Sequence, residues 1–264
     1  AVNISAGFVK IKGLDLIKDI SGEVKLVKDQ ALVKDLRGKI GQGNAKVEGS
    51  VELDGFMPDE LNLEVDADNY HFVYGSIDAH GDGKLYVSGP LMEPLIKGDL
   101  LIHNSEVGVA PFDWPMPEGD APIKPKFYLV LHPGDNLIVT GDSPIKFNAT
   151  VTPNSDDKLI VDTRDDVILS GELRSRSGTF NIYNSNFRIT EAKATFVKFN
   201  KVLPLLDIHA MTTVNAYNIY VDLTGLPPDQ LAIDLRSEPE LTKEEITMLL
   251  ANKGGLGYLL EGEI

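Results

Sequence analysis

Across residues 205–236 every second side chain is apolar in three successive runs, a pattern that only extended strands with one hidden face satisfy. Leu206, Ile208 and Ala210 alternate with Asp207 and His209. Tyr217, Ile219, Val221 and Leu223 alternate with Asn218, Tyr220, Asp222 and Thr224, and Leu231, Ile233 and Leu235 alternate with Ala232, Asp234 and Arg236. A period of two sends successive side chains to opposite faces of a pleated strand, so each run is apolar on one side and polar on the other. Leaving such a face in water costs roughly 1.5–3 kcal/mol per large side chain, so something must cover it.

The theme extends along the chain. Val9 and Ile11, then Val24 and Leu26, face one way, as do Ala45, Val47, Val51 and Leu53, with Lys46, Glu48, Ser50 and Glu52 opposite. A Gly-x-Val/Leu phrase recurs at Gly22, Gly49, Gly83 and Gly98 without a fixed period, which argues against a solenoid adhesin of regular repeats. Strands resume at Phe127–Leu131, Leu137–Thr140, Val167–Leu173, Thr179–Tyr183, Phe187–Ile189 and Ala192–Phe199. Turn chemistry at Pro133-Gly134, Asn154-Ser155-Asp156-Asp157 and Ser177-Gly178 reads as tight reversals between antiparallel neighbours. Five prolines between Pro111 and Pro125, around Trp114, cannot continue a sheet ladder and read as a loop or hinge, with the indole either tucked onto a sheet edge or presented as a docking aromatic. The expected organisation is a degenerate β-repeat over residues 1–110, a Pro-rich loop over 111–125, and a β unit over 126–264, joined as one continuous sheet.

One helix interrupts this all-β pattern. Thr242 and Glu245 form a capping box, Leu241 and Ile246 a hydrophobic staple, and Ile246, Leu249 and Leu250 an apolar stripe ending near Gly254. A helix over residues 242–252 is too short to stand alone in water, so it must dock, as a cap on the sheet or as a partner-binding element.

At 264 residues and 42% hydrophobic, the chain can bury a sizeable core. Its formal charge of -15 opposes nucleic-acid binding, which rests on Lys and Arg neutralising phosphates. The absence of cysteine removes disulfides, thiolate catalysis and Cys-ligated metals. No window approaches a bilayer-spanning length, and Ala1-Val2-Asn3 resembles neither a start nor a signal peptide, so the chain reads as a piece of something longer.

The search for chemistry is nearly empty. Asp78-Ala79-His80-Gly81-Asp82-Gly83-Lys84 opens like a calcium loop, but His80 stands at the third position and Gly89 at the twelfth, so a plain Gly-Asp-Gly turn is expected. The histidines at 71, 80, 103, 132 and 209 show no close metal spacing and read as surface residues. Asp156-Asp157 and Asp165-Asp166 sit beside turn signals as solvated carboxylates, and there is no nucleophile elbow, phosphate loop or dinucleotide fingerprint. The sequence predicts no enzyme, no cofactor and no metal.

The order Gly171-Glu172-Leu173, Ser177-Gly178-Thr179-Phe180-Asn181-Ile182-Tyr183, Phe187-Arg188-Ile189, Phe196, Leu205-Leu206-Asp207-Ile208-His209-Ala210, Ile219-Tyr220-Val221-Asp222-Leu223-Thr224-Gly225 and Ser237-Glu238-Pro239-Glu240-Leu241-Thr242 resembles the C-terminal domain of the TamB family, AsmA-like envelope proteins of diderm bacteria. The family's Asn-Pro reads Leu203-Pro204 here, and its Gly-x-Leu-x-x-Pro turn reads Gly225-Leu226-Pro227-Pro228, departures confined to turns. The resemblance implies an open, taco-like, mostly antiparallel sheet with an apolar groove, in the periplasm and anchored to the inner membrane by an N-terminal segment. It implies phospholipid transport between membranes and outer-membrane biogenesis with a TamA-like partner. Val24, Leu26, Val47, Val51, Leu53, Leu173, Phe180, Phe187, Ile189, Phe196, Leu206, Ile208, Tyr217, Ile219, Val221, Leu223, Leu231, Ile233 and Leu235 would line the groove, with Thr242, Glu245, Ile246, Leu249 and Leu250 on its capping or partner helix. Alternation alone leaves three covers open: lipid, a second sheet or barrel closure. A scaffold that assists outer-membrane barrel or autotransporter assembly is the alternative function.

Overall fold

The computed structural model describes residues 2–5, 7, 17–74, 76–108, 123–142, 146–183, 185–200, 202–227 and 229–251. Val9, Ile11, Trp114 and Gly254 lie outside the described residues. The alternating runs become strands of a single 16-stranded sheet. Its first part is an antiparallel meander of β1 (Val2–Ser5), β2 (Ile17–Val27), β3 (Gln30–Ile40), β4 (Gly43–Asp54), β5 (Met57–Tyr74), β6 (Ile77–Pro90) and β7 (Leu95–Gly108).

The pattern then changes sense once. Leu95 to Ile102 of β7 pair in parallel with β8 (Lys126–Pro133), and Ser105 to Gly108 pair in parallel with β9 (Leu137–Gly141). Between β8 and β9 the amide of Gly134 donates to the Ile102 carbonyl at 2.7 Å, and the amide of Ser105 to the Asn136 carbonyl at 3.0 Å. Pro133-Gly134 is therefore a jog within one interrupted strand, not the reversal expected from its turn chemistry. A parallel pair needs a long connection back along the strand, and the Pro-rich stretch expected at 111–125 falls in that connection.

The same device recurs. β10 (Phe147–Val151) and β11 (Lys158–Asp162) both run antiparallel along the single long strand β12 (Ile168–Ile182), so Asn154–Asp157 is also a step rather than a reversal. Ser177-Gly178, a third expected turn, lies inside β12. The Ser175 hydroxyl donates to the Thr150 carbonyl at 2.6 Å and holds a local bulge there. At Gly178, with φ +147°, a Cβ would sit 2.2 Å from the Asn148 carbonyl oxygen, so glycine marks a close strand approach rather than a bend. β13 (Ser185–Phe196), β14 (Pro204–Val214), β15 (Tyr217–Leu226) and β16 (Gln230–Glu238) complete the sheet antiparallel, and α1 (Lys243–Ala251) follows. All described strands form one sheet whose end strands β1 and β16 do not pair, so neither a closed barrel nor a two-sheet sandwich describes it.

Candidate functional site: a continuous apolar face

Residues directly opposite across a ladder present their side chains on the same face, so strand register can be followed as a row from strand to strand. One row runs Leu36, Val47, Val65, Leu85, Gly98, Leu129, Val161 and Leu169, from β3 through β8 and β11 to β12. A second runs Ala67, Gly83, Leu100, Leu131, Leu159, Gly171 and Phe196, and a third Ile189, Ala210, Val221 and Leu235. One face of the sheet is thus apolar from β3 to β16, across the parallel junction as well.

The expected lining residues fall on this face. Leu173, Leu206 and Leu231 share a row through Ala194 and Gly225, Ile208, Leu223 and Ile233 share the next, and Phe180 stands opposite Phe187 with rings stacked 5.6 Å apart. Val24 joins through Val33, and Leu26 and Val51 through Ala31. Within β13, Ile189 and Ala192 are an odd number of residues apart, and a bulge between Ile189 and Glu191 restores both to the apolar side.

Burial along the face is graded. From β2 to β8 most of these side chains are only half-buried, and Leu26 is 55% exposed. At the C-terminal end Phe187, Ile219 and Val221 are completely buried in a cluster with Phe180, Ile189 and Leu223. The cover there is α1, which contributes Ile246, Leu249 and Leu250, all buried, with Leu241 packed beside them. Ile233, at 37% exposed, sits at the open margin of the cluster.

The docked helix is secured at both ends. The Thr242 amide donates to Glu245 Oε2 at 2.8 Å and the Glu245 amide donates to Thr242 Oγ1 at 3.3 Å, the reciprocal capping box. The hydrogen bond from the Thr242 backbone holds the Glu245 carboxyl below the usual carboxylate range. Lys243 Nζ reaches Asp234 on β16 at 2.6 Å. At the other end the fully buried Ser185 hydroxyl donates to the Leu250 carbonyl at 3.3 Å, satisfying an acceptor the helix leaves unpaired. No feature of the sequence marks Ser185 as the seat of a helix end, because the contact joins residues far apart in the chain.

Polar chemistry collects on the opposite face and at the steps. His209 lies 2.6 Å from Asp222 and 3.3 Å from Asp207, and the hydrogen bond to Asp222 raises its pKa. Asp157, expected to be solvated, is only 2% exposed and pairs with Arg174, while its Oδ2 has no partner. Burial pushes that carboxyl up despite the guanidinium. Asp78–Lys84 is not the expected turn, because it lies within β6. Nor are all the histidines isolated. Register places His80 opposite both His71 and His103, with the His71 and His80 rings stacked at 4.3 Å. Strand pairing, invisible as sequence spacing, assembles that group.

These features define an all-β protein built on one long sheet, whose end strands do not pair among the described residues, with a continuous apolar face covered at its C-terminal end by a docked helix. Residues 115–263 match the family model of the TamB C-terminal domain, and the chain belongs to the TamB family. That family is associated with the bacterial envelope and points to a TamA-type partner. No curated protein matches the chain. Among the described residues no helix is long and apolar enough to cross a membrane.

Proposed function

We propose that this chain is a periplasmic part of an envelope-spanning protein, anchored in the inner membrane, that shields phospholipid acyl chains during transfer to the outer membrane. The observation that carries the reading is the apolar face followed from β3 to β16, most of whose side chains between β3 and β8 are only half-buried. Moving acyl chain through water costs about 0.8 kcal/mol per methylene, so a sixteen-carbon tail needs on the order of 12 kcal/mol of shielding. A continuous apolar trough lowers that barrier by contact alone, with no catalytic residue or cofactor.

A photo-crosslinking residue at half-buried Leu85 should capture co-purifying phospholipid, whereas one at neighbouring Tyr86, on the polar face, should not. Equal capture at the two positions would overturn the reading. A scaffold role in barrel assembly has its own support in β16, whose outer edge is unpaired among the described residues and is available to an added strand. If deleting residues 242–252 abolishes binding to a TamA-type partner but leaves lipid capture at Leu85 intact, the scaffold role is separate from the lipid role.

A further inference from the structure

On the polar face, remote from the docked helix, β5, β6 and β7 bring together an unusual concentration of imidazole and carboxylate. His71 Nε2 lies 3.0 Å from Asp78 Oδ1, and the ligating atoms of His71, Asp78 and His80 all lie within 4.8 Å of one another. His71 and His80 are directly opposed in the β5–β6 ladder, and Asp78 precedes His80 by two residues on the same face of β6. We propose that His71, Asp78 and His80 form a binding site for a divalent first-row transition-metal ion. The site goes beyond the lipid reading and does not depend on it, because it occupies the opposite face of the sheet.

Three observations make the group more than a chance crowd. The first is tautomeric. His80 Nδ1 lies 3.1 Å from the Asn104 carbonyl oxygen, which can only accept, so Nδ1 carries the proton and Nε2 presents a lone pair. The Asn104 carbonyl thus holds the His80 ring and its tautomer, and because the His71 ring stacks parallel to it at 4.3 Å, His71 turns out of the stack for both lone pairs to reach one ion. The second is charge. The Asp78 carboxylate faces His71 Nε2, so a cation there replaces the ring N–H as the carboxylate's partner while the ring proton moves to Nδ1 and the imidazole stays neutral.

The third is local architecture. β5 and β7 each carry one extra residue beside β6, at left-handed Asn69 (φ 46°) and Asn104 (φ 47°). Bulges of this kind re-aim side chains next to functional sites. Here they are pinned from beside the group: the Asn69 amide donates to Asp82 Oδ1 at 2.7 Å, and Asp82 Oδ2 accepts from His103 Nε2 at 2.9 Å. The Asn104 side-chain amide in turn donates to His103 Nδ1 at 3.2 Å. With both nitrogens engaged, His103 positions the β7 backbone that orients His80 and is not itself a ligand.

Two imidazoles and one carboxylate form the nitrogen-and-oxygen donor set that zinc, copper and nickel accept, and a site open to solvent leaves a fourth position for water. His71 and Asp78 are 24% and 59% exposed at their side chains, so an ion enters without opening the sheet. Bound there, it cross-links β5 to β6.

Zinc is the probe. Titration of the chelator-treated full chain with ZnCl₂ at pH 7.5, followed by calorimetry, should show one ion per chain. His71→Ala and His80→Ala should each weaken binding at least about tenfold, while His132→Ala leaves it unchanged. His80→Gln, which keeps a polar side chain beside the Asn104 carbonyl, guards against loss of fold, and circular dichroism should report an unchanged sheet. Lowering the pH to 5.5 should weaken binding, since imidazole ligates only when neutral. Absence of binding to the folded chain, or one-to-one binding that survives the combined His71→Ala and His80→Ala change, would overturn the proposal.

Discussion

Leu250→Ala tests whether α1 is held to the sheet by the three side chains that face it. Leu250 is completely buried, and its neighbours in the cluster include Phe187, Ile219 and Ile246, also completely buried. Truncating a leucine in such a site removes its transfer free energy and leaves a cavity, together about 2–5 kcal/mol. A nine-residue helix has no independent stability to absorb that loss, so the change acts first on docking and only second on the sheet. At 1.4 kcal/mol per factor of ten, a loss of even 2 kcal/mol multiplies the population of undocked helix by about 30. Amide hydrogen exchange across residues 246–251 should accelerate by at least that factor. Exchange in β3 to β7 should be unaffected. Met248, on the outer side of the same helix and 65% exposed, supplies the control: Met248→Ala should change exchange by no more than about twofold. Unchanged protection in Leu250→Ala, or equal acceleration in both variants, would refute docking through the buried stripe.

A charge at Ile219 should unfold the C-terminal cluster rather than merely repel lipid, because the side chain is completely buried beneath α1; a urea transition as stable as the parent's would contradict the cluster. Gly49→Ala should lower the urea midpoint by an amount equivalent to about 1–3 kcal/mol, since a Cβ there would lie 2.1 Å from the Asn62 carbonyl oxygen at a φ of +136°. His209, hydrogen-bonded to Asp222, should titrate by NMR above the ordinary imidazole value. Its folded-state pKa is raised, so its contribution is complete below about pH 6.5 and is lost as pH rises through the folded value. Burial pushes Asp222 up, but hydrogen bonds from His209 and Arg236 outweigh this and hold it below its ordinary value. The Asp222 contribution is therefore present above the ordinary carboxylate range and is lost as pH falls through the depressed value. The pair stabilises most in the acidic window between those limits, and Asp222→Asn should return the His209 titration toward the ordinary value.

Which side chains share a face was legible in the sequence because alternation is a local property. The runs at 206–210, 217–223 and 231–235 map directly onto β14, β15 and β16, and the capping box at Thr242 maps onto the start of α1. What alternation does not carry is pairing. Pro133-Gly134 and Asn154–Asp157 have turn chemistry, but a step within a strand needs the same backbone freedom as a reversal, and only the neighbouring strand decides between them. The recurrent glycines likewise announce a special backbone position without saying which strand presses on it. Asp157 departs from its expected exposure for a related reason. Its neighbours in sequence are polar, while the residue that draws it inward, Arg174, lies on the adjacent strand β12. The group at His71, Asp78 and His80 is legible only once the β5–β6 register is known.

The parallel junction is where the continuity of the apolar face is most exposed to error, and it can be tested directly. No hairpin ties β7 to β8, so their register rests on side-chain pattern and on bonds such as Lys126 amide to Pro94 carbonyl at 2.9 Å. In the observed register Ile96, Gly98 and Leu100 face Phe127, Leu129 and Leu131. A slip of one residue would rotate Tyr128, Val130 and His132 onto the apolar side, since strand side chains alternate with a period of two. The face would then be interrupted where the stretch before residue 115 meets the TamB domain match. Lys97 and Tyr128 are directly opposed on the polar side. Adjacent strands lie about 4.8 Å apart, within the range a disulfide spans. The chain has no cysteine of its own, so Lys97→Cys combined with Tyr128→Cys gives an unambiguous signal. Mild oxidation should cross-link this pair nearly completely, and Lys97→Cys with Leu129→Cys, displaced by one residue along β8 and directed to the opposite face in the observed register, much less. Preferential cross-linking of the displaced pair would mean that the rows joining β3 to β12 do not run through this junction, and the single apolar face would be two.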